Sequence, residues 1–216
     1  DSLRSGVTCP DINELFNNPT DPRRIVPGDL TNAVAVSAGN FHNLALRADG
    51  TVIPWGINNR GQTNVPALLT NALAVAAGEC YSLVLKADRT VIAWGQNDVG
   101  QTNVPPETDD ILAISAGAYH NLALRADGTV VAWGGNIGGV TNVPASLSNV
   151  VAIAAGAVHS IALKADGTVT VWGSPSYGLT NVPASATNVV AIAGGYGHCL
   201  ALKADGRVVA WGYHYN

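Results

Sequence analysis

The sequence predicts an all-β fold, a β-propeller of five blades, and three observations carry that prediction. The five tryptophans of the 216-residue chain lie 39 residues apart, and each is followed by glycine. Between them run short segments in which apolar residues alternate at period two, as in strands. Turn residues recur at the same position in nearly every unit. A unit of about 40 residues with four short strands has the size of a propeller blade.

Each unit reads as the same series of elements. A first strand ends at a glycine that recurs at the 39-residue step, beginning with Gly39. In the second strand Leu44 and Leu46 fall on one face, and an Ala-Asp-Gly link predicts a tight hairpin to the third, because Asp and Gly tolerate positive φ. The third strand ends at the Trp-Gly pair. The Thr-Asn-Val-Pro segment then predicts a short fourth strand, where proline suits an edge position.

The two ends of the chain suggest how the repeats are organised. We expect an N-terminal arm over residues 1–25, with a short helix in 10–18, and a propeller domain over residues 26–216. Ile25-Val26-Pro27 aligns with Val65-Pro66 one repeat later. The N-terminal segment is therefore expected to supply the missing outer strand of the last blade and close a five-bladed ring. The alternative is part of a seven-bladed propeller.

Composition excludes several classes of protein. With 11 Lys and Arg against 15 Asp and Glu, a nucleic-acid-binding surface is not expected. A hydrophobic share of 47% argues against disorder, and no apolar run is long enough to predict a membrane span. The three cysteines allow one internal disulfide. We expect Cys9 to bridge to Cys80 or Cys199 and so to pin the arm to the propeller.

The repeat also resembles a known family. The unit A-x-A-A-G-x-x-H-x-x-A-L-K-x-D-G-T-V-x-x-W-G-x-N-x-x-G-Q resembles the regulator-of-chromosome-condensation repeat, and residues 114–134 carry it almost whole. The short unit and its Thr-Asn-Val-Pro tail resemble the bacterial branch of these repeats, which includes a propeller-type β-lactamase inhibitor. The resemblance implies a propeller of binding character, and we expect a secreted or cell-surface protein. The longer blades and specialised wedge of guanine-exchange members are missing, so their activity is not implied.

One face of the predicted propeller collects the aromatic residues. The loops after the first and third strands of a blade lie on one face, called the top, and the hairpins lie on the bottom. Five Lys or Arg and five Asp fall on the bottom and largely cancel. Tyrosine offers a large contact area at low entropic cost, so the top loops predict a recognition surface. The candidate partner-binding residues are Phe41, Tyr81, Tyr119, Tyr177, Tyr196, Tyr213 and Tyr215.

Other recurring residues are interpreted as structural. His42, His120, His159 and His198 recur at 39-residue steps, and a residue repeated in every blade is expected to make the same structural hydrogen bond rather than to bind a metal. The tryptophans are expected in the core, and Asn58, Asn97 and Asn136 in turns. Nearly every polar residue has copies in other blades, which disfavours the unlike groups that an active site brings together. We therefore predict no catalytic residues, no metal and no cofactor.

The function expected from the sequence is a non-catalytic protein-binding module that recognises a partner protein through aromatic loops on the top face. A carbohydrate-binding propeller with tyrosine-stacked glycans is the first alternative. A structural subunit of an extracellular assembly is the second.

Overall fold

The computed structural model describes residues 20–213 and contains five three-stranded antiparallel sheets, one for each repeat. Blade 1 comprises β1 (Ala33–Ala38), β2 (His42–Arg47) and β3 (Val52–Gly56). Blade 2 comprises β4 (Ala72–Ala77), β5 (Tyr81–Lys86) and β6 (Val91–Gly95). Blade 3 comprises β7 (Ile111–Ala116), β8 (His120–Arg125) and β9 (Val130–Gly134). Blade 4 comprises β10 (Val150–Ala155), β11 (His159–Lys164) and β12 (Val169–Gly173), and blade 5 comprises β13 (Val189–Gly194), β14 (His198–Lys203) and β15 (Val208–Gly212).

Residues 1–19 and 214–216 lie outside the described residues. The predicted helix over 10–18, Cys9 and Tyr215 fall within them. Two single 3₁₀ turns, Ile137–Gly139 and Ser176–Gly178, follow the third strands of blades 3 and 4. Among residues 20–213, no helix is long and apolar enough to cross a membrane.

The strand register confirms the alternation seen in the sequence. In blade 1, β2 is the middle strand, with Leu44 opposite Pro54 and Leu46 opposite Val52. Leu44 and Leu46 are both buried. The first strand of every blade has an irregularity in its pairing at its second residue, as between Ala33 and Ala35 in β1. The hairpin after β2 places Gly50 at φ 80°, so the Ala-Asp-Gly prediction is confirmed.

The expected fourth strand is wrong. The Thr-Asn-Val-Pro segment pairs with no strand in the described residues, so each blade has three strands. The Val65 N–H donates to Thr63 O at 3.1 Å, a local turn contact, and Pro66 has no N–H to donate to a ladder. We call residues 62–71 and their counterparts the connector, since they run from the top of one blade to the bottom of the next.

Each connector is fixed to the blade that follows it. Gln62 O accepts hydrogen bonds from Ser82 Oγ (2.8 Å) and Trp94 Nε1 (2.9 Å) of blade 2. Residues 23–30 form the connector that is fixed to blade 1 in the same way.

Arg23 lies 39 residues before Gln62, and its carbonyl accepts hydrogen bonds from Asn43 Nδ2 (3.0 Å) and Trp55 Nε1 (3.1 Å). The described part of the N-terminal segment is therefore a connector bound to blade 1 and not a strand of blade 5. Closure of a five-bladed ring by the arm stays a prediction.

The hydrophobic core lies in the joints between neighbouring blades. At the first joint, Leu44 and Leu46 of blade 1 pack in one cluster with Val84 and Trp94 of blade 2. Comparable clusters join blades 2 and 3, 3 and 4, and 4 and 5. Within residues 20–213, strand pairing stays inside each blade, backbone hydrogen bonds link neighbouring blades in series, and neither joins blade 5 to blade 1.

Candidate functional site

The top face is built from tight loops held by a ring packed over a glycine. In the first loop of blade 4, a Cβ added to Gly156 would lie 2.2 Å from His159 Cε1, a distance that no side chain could adopt without displacing the ring. The same clash recurs at Gly78 with the Tyr81 ring and at Gly117 with His120. Only glycine at this position leaves room for the aromatic ring that lies under the loop.

The buried histidines tie one blade to the next. His42 Nε2 lies 2.8 Å from Ser82 Oγ, and His120 Nε2 lies 3.0 Å from Ser160 Oγ. Ser82 Oγ donates its proton to Gln62 O, so the imidazole is the donor to the serine oxygen. The expected structural hydrogen bond is confirmed for His42 and His120, although its acceptor is a serine hydroxyl and not a loop carbonyl.

These histidines are poorly suited to chemistry at neutral pH. Burial lowers the pKa of His42, His120 and His159 to about 4, so all three are neutral. In the part of the chain that the structure describes, no three His, Cys, Asp or Glu side chains are grouped closely enough to hold a metal ion.

The tryptophans and turn asparagines lie where the sequence predicts. Trp94, Trp133 and Trp172 are buried in the joints, as expected, whereas Trp55 and Trp211 are half-buried. Asn58 Nδ2 donates to Asn64 Oδ1, and Asn58 Oδ1 accepts from the Thr63 N–H, which closes the turn at the start of the connector.

Two of the predicted partner-binding residues are buried, which corrects the prediction. Phe41 packs against Cys80 beneath the top loops and is 3% exposed. Tyr81 is fully buried, and its hydroxyl donates to Gly117 O (3.1 Å) and His120 O (2.8 Å) of blade 3. Tyr81 occupies the position that holds histidine in the other repeats, and like His42 and His120 it forms a hydrogen bond to the next blade. Neither side chain can contact a partner without unfolding a loop.

Tyr119 is half-buried on the top face. Its hydroxyl donates to Glu79 Oε1 at 2.7 Å, which ties the first loop of blade 3 to that of blade 2.

The other three described candidates form an exposed group, which we call the tyrosine cluster: Tyr177, Tyr196 and Tyr213. Their exposed fractions are 65%, 76% and 40%. The rings of Tyr177 and Tyr213 meet edge to face, with centroids 4.5 Å apart. The Tyr213 N–H donates to Gly197 O at 2.7 Å, which places Tyr213 beside the loop that carries Tyr196. Three of the predicted residues are thus brought together at the top of blades 4 and 5.

Tyr177 also adopts an unusual backbone conformation. Its φ is 59°, in the left-handed region that β-turn glycines favour, and the matching residue of blade 3 is Gly138 at φ 67°. Residues other than glycine rarely adopt this conformation, so Tyr177 is held there at some energetic cost.

Sequence reasoning missed two aliphatic residues of the same face. Val99 and Ile137, in the second loops of blades 2 and 3, are 46% and 38% exposed. Gly135 lies against both Val99 and Tyr119. The available signal was an aliphatic residue within the polar Asn-x-x-Gly turn. These residues extend the apolar top surface from the tyrosine cluster toward blade 2.

A cavity of about 210 Å³ opens where the five first loops converge. Its walls are mostly the alanine and glycine residues that end the first strands, with Glu79 and Tyr196 at its edge. Because Tyr196 borders both, the cavity and the tyrosine cluster form one continuous surface.

The bottom face presents a different chemistry. Lys86 pairs with Asp88 at 2.6 Å, Lys164 with Asp166 at 3.4 Å, and Arg125 with Asp109. The expected cancellation of charge on this face is confirmed.

The cysteines divide as one bonded and one free among the described residues. Cys80 is disulfide-bonded, and Cys199 is a buried free thiol. A bridge from Cys9 to Cys199 is therefore excluded, and Cys9 itself lies outside the described residues. Burial raises the pKa of Cys199 to about 12, which makes it a poor nucleophile.

Comparison with known proteins shows where this fold belongs. A profile of the Regulator of chromosome condensation (RCC1) repeat matches residues 33–62, 73–101, 111–139, 150–179 and 189–216. A search among curated proteins gave no match.

Solved structures give the same fold. The ectodomain of the receptor kinase CR4 from Physcomitrella patens is similar with a TM-score of 0.73 at 25% identity, covering 87% of this chain and 53% of that one. Human WBSCR16 is similar with a TM-score of 0.72 at 22% identity, covering 87% of this chain and 63% of that one. Prp20p from Saccharomyces cerevisiae is similar with a TM-score of 0.59 at 18% identity, covering 87% and 73%.

This chain thus spans less than two thirds of the length of the first two structures. Five in-phase repeats, each with the Trp-Gly pair, the hairpin and the ring-over-glycine loop, identify the chain as a member of the RCC1 repeat family.

Proposed function

We propose that this propeller is a non-catalytic protein-binding module that recognises its partner through the tyrosine cluster on the top face. The observation that carries the proposal is the exposure of Tyr177, Tyr196 and Tyr213 as one group, beside a cavity, in a protein that buries its other described aromatic rings wholly or partly. Tyrosine is enriched at protein interfaces because a rigid ring buries a large area and its hydroxyl still finds a hydrogen bond.

A relative supports protein binding as a use of this fold. The solved Prp20p structure is described together with its binding to Gsp1p and histones, and yeast RCC1 (Prp20) is also solved bound to Kap60. At 17–18% identity these partners do not transfer to this chain, but the fold's use as a platform for other proteins does support the proposal.

The electrostatics support a non-catalytic role. The buried histidines are neutral, with a pKa of about 4, and each that has a described partner is engaged in holding two blades together. General acid–base catalysis works best with a group whose pKa lies near the working pH.

A secreted or cell-surface location belongs to the same proposal. Cys80 is disulfide-bonded, and disulfides persist chiefly in oxidising compartments outside the cytosol.

The test is capture from the native source with two baits compared side by side. One is the wild-type chain, and the other carries Tyr177→Ala, Tyr196→Ala and Tyr213→Ala. We expect a protein that the wild-type chain retains and the triple variant loses. In a binding titration with that protein, each single substitution should weaken affinity about tenfold, as for an exposed aromatic at the centre of an interface.

A bottom-face variant, Lys86→Ala with Asp88→Ala, is the matched control and should retain the partner. Circular dichroism should show all variants folded, because the replaced side chains are exposed. Equal retention of the same proteins by the wild-type chain and the triple variant would refute recognition through the tyrosine cluster.

A further inference from the structure

The joint between blades 4 and 5 differs from two others in the residue that faces its buried histidine. In the joints of blades 1 and 2 and of blades 3 and 4, the histidine Nε2 lies 2.8 Å and 3.0 Å from the hydroxyl of a serine 40 residues later. These histidines are His42 and His120. The residue 40 positions after His159 is Cys199. A thiol therefore occupies the serine position in the joint of blades 4 and 5.

The imidazole of His159 is oriented toward that thiol. A Cβ added to Gly156 would lie 2.2 Å from Cε1 and 2.6 Å from Nδ1 of His159. At the equivalent glycine of blade 3, the same two atoms of His120 would lie at 2.6 Å and 2.7 Å, so both rings present the same edge to their glycine. Because Nε2 of His120 bonds Ser160 of the next blade, Nε2 of His159 faces the corresponding residue of blade 5, Cys199.

This pairing leaves a buried imidazole poorly satisfied. His159 is fully buried, and within residues 20–213 neither of its ring nitrogens meets the geometry of a hydrogen bond. Burial lowers the pKa of the ring, and the backbone of His198 acts in the opposite direction. Cys199 is also fully buried, in an apolar cluster that includes Ile161 and Leu179. A thiol is a weak hydrogen-bonding group, but sulfur is a strong ligand for soft metal ions.

We propose that Cys199 and His159 form a two-ligand site for a soft monovalent metal ion of the class of Cu(I) and Ag(I). The ion would bond to Sγ of the thiolate and to Nε2 of the neutral imidazole. Binding breaks the S–H bond and forms a sulfur–metal bond, the proton passes to solvent, and no electron is transferred. The inference stands apart from the proposed function, because the site lies inside a joint and includes no residue of the tyrosine cluster.

Charge and ligand number select this class of ion. A thiolate and a monovalent ion sum to zero, so the occupied site places no net charge in the apolar joint, whereas Zn²⁺ would leave a buried positive charge. Structural zinc sites have four ligands, and in the part of the chain that the structure describes no third His, Cys, Asp or Glu joins these two. Thiolate and imidazole both suit copper. The proposal departs from the expectation of a metal-free protein, which considered the repeat histidines alone.

Silver ion is the probe, because it undergoes no change of oxidation state in the assay. The wild-type chain and Cys199→Ser are incubated for hours with silver nitrate in chloride-free buffer, since entry to a buried site requires local opening. Weakly held ions are removed by dialysis against imidazole, and native mass spectrometry counts those retained. Cys199→Ser restores the residue found in two other joints, so it should fold, which circular dichroism checks. We expect the wild-type chain to retain one silver ion more than this variant.

Nuclear magnetic resonance identifies the second ligand. In ¹H–¹⁵N spectra of the histidine rings, the Nε2 resonance of His159 should shift when silver binds. The Nε2 resonances of His42 and His120, which are bonded to serine, should stay in place. His159→Gln keeps the thiol and removes the imidazole, so it should lower the affinity for silver at least about tenfold.

Ser160→Cys transfers the pair to another joint. It places a thiol opposite His120, and it should add a further retained ion together with a shift of the His120 Nε2 resonance. A folded Ser160→Cys variant that gains no ion would count against the rule that a thiol opposite a repeat histidine makes the site.

Equal retention of silver by the wild-type chain and Cys199→Ser would overturn the proposal. An additional ion that leaves the His159 resonance unmoved would also overturn it, because the ion would then be held by the thiol alone. The triple tyrosine variant should retain silver as the wild-type chain does. Failure of this proposal and failure of partner recognition therefore give different results.

Discussion

At the scale of single residues, one tryptophan position does the same work five times. The indole Nε1 of each donates to the connector carbonyl 32 residues earlier, at distances of 2.8–3.2 Å. A hydrogen bond of this kind contributes about 1 kcal/mol net, and a buried indole N–H left unpaired would cost more. The tryptophan thereby fixes both the core of a joint and the path of the chain into the next blade.

The buried histidines give the protein a defined sensitivity to acid. Burial lowers the pKa of His42, His120 and His159 to about 4, below the ordinary value of 6.5. Between those two values the unfolded chain binds more protons than the folded one, so the free energy of unfolding falls as the pH falls through this window. We expect a slope of about 1.4 kcal/mol per pH unit for each histidine near pH 5. Urea unfolding at a series of pH values measures it.

Variants at histidine positions sharpen this measurement. His42→Gln removes one buried imidazole, so its unfolding should take up about one proton fewer near pH 5. An unfolding free energy that is flat from pH 6.5 to pH 4.5 in the wild-type chain would contradict the assignment.

The tyrosines show how far sequence reasoning reaches at this scale. The repeat register correctly places Tyr177, Tyr196 and Tyr213 in top loops, where they are exposed. The repeat register alone does not predict which of the aromatic side chains are buried. Tyr81 occupies the histidine position, and that equivalence is the signal that predicts its burial. For Phe41, the neighbouring Cys80 and the loop above it decide burial, and those contacts are not in the local pattern.

At the scale of elements, the hairpin between second and third strands is the most regular part of the blade. Asp49 Oδ1 accepts hydrogen bonds from the Thr51 N–H (2.9 Å) and Thr51 Oγ1 (2.6 Å), and the next glycine has positive φ. Blades 2, 3 and 4 repeat the aspartate–threonine contact. Blade 2 departs only at the glycine position, where Arg89 is held at φ 63°.

Arg89→Gly should therefore stabilise the protein. An L-residue in the left-handed region destabilises the folded state by about 1–2 kcal/mol. The exposed ion pair of Arg89 with Asp110 stabilises it by only a few tenths of a kcal/mol. Glycine also gains entropy in the unfolded chain, so we expect a net gain of about 0.5 kcal/mol in the free energy of unfolding. The midpoint of urea unfolding measures this change.

The reverse change in blade 3 is the matched control. Gly128→Arg introduces a side chain at φ 79°, with its Cβ 3.3 Å from Asn149 Cα, and should cost about 1–2 kcal/mol. A loss of stability in Arg89→Gly would mean that the ion pair outweighs the backbone conformation.

Among the elements, three strands of each blade follow from alternation and hairpin chemistry, and the fourth does not form. The Thr-Asn-Val-Pro segment has the composition of an edge strand, but its backbone groups are used elsewhere. The connector carbonyl at its start accepts two side-chain donors of the next blade, and its valine N–H closes a local turn. A tertiary contact one repeat away thus overrides the local pattern, and no reading of the segment alone reveals it.

At the scale of the whole molecule, stability resides in the joints between blades and not in a central core. Each joint involves two neighbours, so the blades couple in series as in other repeat proteins. The joints resemble one another because the same residues recur at each one. The sequence does not predict which flanks are covered, because Leu200 and Leu202 have the same local sequence as the buried residues of blades 1 to 4. Coverage of this flank depends on what lies beside blade 5.

Amide hydrogen exchange should report that difference in coverage directly. Within residues 20–213, blade 3 is packed between two neighbouring blades, whereas β14 and β15 of blade 5 contact a neighbouring blade on one side only. Local opening of blade 5 therefore exposes less apolar surface, and its amides should exchange at least about tenfold faster than those of β8 and β9 in dilute protein. Equal protection of blades 3 and 5 in dilute protein would show that the flank is covered within a single chain.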